Sequence, residues 1–135
     1  LWLVPLSFTS VMTLAGVAGM AGVWVPLIEI GVGVSVVVLG LAIAFQLNLS
    51  AVSAMALVGF FAIFHGHVHG AEMPESASGL AYGSGFVFAT ALLHVVGIGF
   101  GLVIGYAEQI YSRRIVRVGG GGMAVAGVLI LSGII

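Results

Sequence analysis

Long apolar stretches fill the chain, and a few short polar breaks divide them into elements. One apolar run extends from about Leu3 to Trp24 and stops at Val25-Pro26. A second extends from about Leu27 to Phe45 and stops at the polar turn Gln46-Leu47-Asn48-Leu49-Ser50. A third begins near Ser50 and continues to about residue 66, where polarity rises over the segment 65–78. The fourth covers about 79–106 and the fifth about 115–135. The junction between them carries Glu108, Ser112, Arg113 and Arg114, with Arg117 just inside the fifth run. These runs reach or approach the roughly 18 apolar residues that separate a membrane span from the buried helix of a soluble core. The pattern therefore predicts an all-α, polytopic integral membrane helix bundle: a single domain of about five transmembrane helices. Trp2 and Trp24 stand at the two ends of the first span, where interfacial aromatics belong. Asn48 or Ser50 is placed to cap the third helix.

Composition strengthens this reading. Of 135 residues, 61% are hydrophobic and 5% charged, against about 25% charged in ordinary soluble domains. The 22 glycines are spread through apolar segments, as in membrane helices whose backbones approach closely. With a net charge of −1 there is no basic patch for nucleic acid. Cysteine is absent, so neither disulfides nor thiolate ligands are available. Asp is absent too, which excludes a Ser–His–Asp set, and Gly119–Gly122 lacks the Lys and Ser/Thr of a phosphate loop. No enzyme and no organic cofactor are expected. All three arginines sit at one junction, which the positive-inside rule makes cytoplasmic. Counting back, segment 65–78 lies outside, the turn 46–50 inside and Leu1 inside. The first run has no charged leader and no small-residue cleavage site.

Chemistry concentrates in Phe64-His65-Gly66-His67-Val68-His69-Gly70-Ala71-Glu72-Met73-Pro74. If the third helix continues through this string, His65, His69 and Glu72 fall within about 60° of one another and His67 points away. If it is extended, His65, His67 and His69 project to one side. Either arrangement clusters donors suited to a divalent first-row metal, and without thiolates nothing favours a soft-ligand site. Gly66 and Gly70 are expected to let the backbone bend close around an ion, with Pro74 ending any helix. His94 stands mid-span on a stripe with Gly83, Val87, Thr90, Gly97, Gly101 and Gly105. It is either a neutral packing histidine bonded near Thr90 or a second metal stop below the outer cluster. Glu29, one turn into the second span, either reaches the headgroups or contributes to the same outer site. The candidate metal residues are thus His65, His67, His69, Glu72, His94 and Glu29. From a different class, the chain could be a non-transporting structural subunit of a larger membrane complex, holding a pigment or haem through a histidine.

The histidine string resembles that of the HupE/UreJ family of bacterial nickel and cobalt permeases. The likeness extends through Gly85-Phe86-Val87-Phe88-Ala89-Thr90-Ala91-Leu92-Leu93-His94-Val95-Val96-Gly97 and back to Leu1-Trp2-Leu3-Val4-Pro5-Leu6. The resemblance implies a multi-pass permease of the bacterial inner membrane that takes up Ni²⁺ or Co²⁺. Expected partners are the lipid bilayer, the divalent ion, and either other subunits of a membrane complex or copies of the chain itself. Family members usually carry an earlier span with a His-Pro…Gly…Asp-His motif behind a cleaved signal peptide. Neither is found here, so the sequence is expected to be shortened at its start by about one span.

Overall fold

A computed structural model describes residues 1–106 and 109–134; Glu108 and Ile135 lie outside the described residues. Five helices follow one another: α1 (Leu3–Met20), α2 (Ile28–Ala44), α3 (Ala51–Ala71), α4 (Gly79–Gly105) and α5 (Gln109–Leu131). All regular structure among the described residues is helical, as the apolar pattern predicts. α1, α3, α4 and the stretch Tyr111–Leu131 of α5 are long and apolar enough to cross a membrane. α2 is equally apolar but has 17 residues, a length of about 25 Å at 1.5 Å per residue. Large side chains such as Leu80, Phe88 and Leu93 are mostly exposed. In water such a surface would aggregate; in a bilayer it is the lipid-facing surface. The protein is a multi-pass membrane protein.

The helix ends follow local chemistry. Ser50 adopts an extended conformation and its hydroxyl accepts from the Ser53 N–H at 3.1 Å, capping α3. α1 ends in a Schellman turn: the Gly22 N–H donates to Gly19 O, the Val23 N–H donates to Ala18 O, and Gly22 is left-handed at φ +74°. Gln46 closes α2 in the same way at φ 53°.

The chain forms two compact units. The first comprises Leu1–Glu29 and Leu49–Val95, and its centre is the contact between α1 and α3. Lipid tails are as apolar as any side chain, so the hydrophobic effect does not hold two helices together in a membrane; close packing does. Gly16 and Gly19 of α1 face Gly66 and Gly70 of α3, all four buried. A methyl group on Gly66 would collide with the Met12 backbone, and one on Gly70 with the Gly16 backbone. Met12, Phe61 and Ala62 fill the remaining core.

The second unit comprises Ile30–Asn48 and Val96–Ile135. Here α2 and α5 use the same device: a Cβ on Gly40 would lie 2.5 Å from the Ala124 nitrogen, and one on Gly127 2.7 Å from the Val37 nitrogen. Of the four consecutive glycines, Gly120 faces α2, whereas Gly119, Gly121 and Gly122 meet nothing within 4 Å.

Candidate metal-binding site

α3 runs unbroken through the histidine string and ends at Ala71 with Glu72 as its C-cap. Of the two geometries open from the sequence, the backbone adopts the helical one. Successive histidines two residues apart therefore leave the helix in nearly opposite directions, and the string divides between faces.

One face belongs to α1. Gly66, His67 and Gly70 are buried on it, so the expectation that the two glycines curl the backbone around an ion is corrected. They stay helical, and the missing side chains make room for the α1 backbone. His67 is turned toward the end of α1. Its Nε2 lies 2.5 Å from the carbonyl oxygen of Val23, and its Nδ1 is enclosed without a hydrogen-bond partner.

The other histidines look elsewhere. His65 is half-buried, with its ring 6.2 Å from that of Phe8. His94 meets the same Phe8 edge-on at 5.4 Å, so one α1 side chain touches both imidazoles. The His94 Nδ1 donates to the Thr90 carbonyl at 2.9 Å, which leaves Nε2 with the lone pair. The Thr90 hydroxyl lies 3.9 Å from the Met12 sulfur. His69 is exposed, its ring packed 4.8 Å from Phe86, while its carbonyl accepts from the Tyr82 hydroxyl at 2.9 Å. Glu72 is exposed just past the end of α3. Glu29, also exposed, occupies the first turn of α2, where negative charge complements the helix dipole.

Among the described residues, no three His or Glu side chains converge tightly enough to hold one ion. His65, His69 and Glu72 share an arc of α3 without closing on a point, whereas His65 and His94 come together through Phe8. The α4 stripe divides as well. Thr90 is buried and Gly83 lies near Met20, but Gly97, Gly101 and Gly105 meet nothing within 4 Å. A groove of about 630 Å³ lined by Thr13, Gly16, Met20, Gly83, Val87 and others is apolar and contains none of the candidate donors.

Sequence reasoning missed Phe8 and Val23. Phe8 sits inside an apolar run with nothing to single it out, and Val23 acts through its backbone. Gly22 was hidden as well: it lies inside the apolar run that continues to about Trp24, so only the structure shows it as the left-handed terminator of α1.

Comparison with known proteins identifies relatives of the chain. A family model described as HupE / UreJ protein matches residues 1–130. Protein HupE of Rhizobium leguminosarum bv. viciae is 41% identical over 133 residues, covering 98% of this chain and 68% of that protein. No solved structure matches. The HupE/UreJ family is associated with nickel and cobalt transport. With a family match over nearly its whole length and a relative of this identity, the chain belongs to the HupE/UreJ family.

Proposed function

We propose that the protein is a permease for a divalent transition-metal ion, Ni²⁺ or Co²⁺. His65, His67, His69, Glu72, His94 and Glu29 supply donors along a path rather than in one cage. The observation that carries this reading is the contact of His65 and His94 with one ring, Phe8, which links the histidine string and the mid-span histidine through a single α1 side chain. A permeating ion must bind well enough to enter and weakly enough to leave, so several partial sites serve transport better than one tight trap. Imidazole and carboxylate donors without thiolates suit borderline divalent ions. Segment 65–78 faces the outside of the bacterial inner membrane and residues 113–117 the cytoplasm, on the argument that arginines gather at cytoplasmic ends.

The test is uptake of ⁶³Ni²⁺ and ⁵⁷Co²⁺ by cells producing the intact protein. His94→Gln keeps a hydrogen-bonding side chain of similar size and removes imidazole coordination. Loss of a donor is expected to reduce uptake by at least the 10- to 100-fold typical of disturbed metal sites. Full uptake by His94→Gln and by His65→Gln, at equal protein abundance, would remove both residues from the path and leave this reading without support.

A further inference from the structure

His67 differs from the other histidines in burial and in partners. It is 6% exposed, and its two ring nitrogens have unlike surroundings. Nε2 lies 2.5 Å from the carbonyl oxygen of Val23, while Nδ1 is enclosed and unpartnered. A carbonyl only accepts, so Nε2 carries the hydrogen and, in the neutral ring, Nδ1 keeps its lone pair. A buried acceptor without a partner is costly and calls for an explanation. One ring N–H given to a backbone carbonyl, with the other nitrogen left bare, is how metal-ligating histidines are held.

A specific turn delivers that carbonyl. Gly22, at φ +74°, with the Gly22 N–H donating to Gly19 O at 3.0 Å and the Val23 N–H donating to Ala18 O at 3.1 Å, sets the course of the chain as it leaves α1. The same end of α1 packs on the backbone of the histidine, since a Cβ at Gly19 would collide with the His67 carbonyl oxygen. Both the ring and its backbone are thus fixed from one helix end.

The geometry points to a positioning role for this turn: the Val23 carbonyl, presented by left-handed Gly22, holds His67 as the Nε2–H tautomer and makes Nδ1 the atom offered to a divalent metal ion. The ion's identity as cargo rests on the permease reading; the tautomer does not. His67 is then a separate, enclosed stop on the α1 side of α3, apart from the His65–Phe8–His94 contact.

¹⁵N NMR of the full chain, histidine-labelled in bicelles, tests this with Zn²⁺ as a diamagnetic probe. The resonances assigned through His67→Gln are expected to show a protonated Nε2 and a bare Nδ1, and Nδ1 is expected to shift on Zn²⁺ addition. Gly22→Ala is expected to give mixed tautomers at His67 and to weaken Zn²⁺ binding 10- to 100-fold, leaving the His94 resonances in place. Should Gly22→Ala fail to fold, the wild-type spectra alone decide the matter. An Nδ1–H tautomer in the wild type overturns the inference. So does an Nδ1 that ignores Zn²⁺ while other histidines respond, although the permease reading then survives. Silence from all four histidines together with absent ⁶³Ni²⁺ uptake overturns both.

Discussion

Replacing Gly66 by alanine adds one methyl group where α1 and α3 touch, and the geometry fixes the direction of the effect. The new Cβ would lie 2.8 Å from the Met12 carbonyl carbon and 2.9 Å from its Cα, with the carbonyl oxygen closer still. All three are backbone atoms inside a helix, so no rotamer change relieves the overlap; the helices must move apart. Two effects compete. Alanine is the better helix former by about 1 kcal/mol. Forced overpacking costs about 1–3 kcal/mol, and occasionally more. The upper end applies here, because the clash is with backbone and because separation also loosens Gly16–Gly70, the tight packing that binds helices in lipid. The expected net loss is about 1–2 kcal/mol, roughly tenfold in the folding equilibrium. Reversible unfolding of the purified chain in mixed micelles by increasing SDS, followed by tryptophan fluorescence, measures it. Gly85→Ala is the control, since its Cβ meets nothing within 4 Å; it should be neutral or gain up to about 1 kcal/mol. If Gly66→Ala unfolds at the same SDS fraction as wild type, α1 and α3 do not approach in this way.

Two further predictions concern other links in the same unit. Phe8→Leu retains apolar bulk but removes the ring that touches His65 and His94. Each aromatic contact contributes about 0.5–1.5 kcal/mol, so a modest loss of stability with a larger loss of ⁶³Ni²⁺ uptake is expected; uptake equal to wild type would detach Phe8 from the path. Ser50→Ala removes the hydroxyl that caps α3 and should cost about 1 kcal/mol in the same SDS titration, leaving the uptake rate per folded molecule unchanged.

How far the fold was legible follows from what hydropathy measures. Runs of apolar residues report contact with lipid, and they reveal the helices. They report helix ends poorly where a helix continues into polar surroundings. Polarity rises at His65, so the third span is expected to close near residue 66, yet α3 extends to Ala71. Its last turn is held by the α1 backbone packed against Gly66 and Gly70, a contact that a hydropathy profile does not contain. α5 likewise begins at Gln109, so Arg113 and Arg114 are helical although their charge excludes them from an apolar run. The Gly66-x-x-x-Gly70 spacing was visible and is a helix-contact signature; beside three histidines it suggested an ion instead. Shape complementarity with Met12 and Gly16 distinguishes the two meanings, and it needs both helices.

The same limit explains the site. Angular spacing on a helix says which residues share a direction, but coordination requires atoms that meet at a point. Histidines at positions 65, 67 and 69 of one helix cannot all ligate a single ion, because a step of two residues turns the side chain by about 200°. Among the described residues no three His or Glu side chains converge, and what each histidine meets is set by the neighbours that the glycines admit. Close approach of α1 puts Phe8 beside His65 and the Val23 carbonyl beside His67. α4 contributes His94 against Phe8, and Phe86 and Tyr82 against His69. The three histidines of the string thus answer to different partners, Phe8, the Val23 carbonyl and Phe86, and the glycines between them let α1 come near. An alternating His-Gly-His-x-His-Gly string on a helix is in this sense two interleaved codes: one residue set packs the helix, and the other presents nitrogen atoms to what the packing brings within reach.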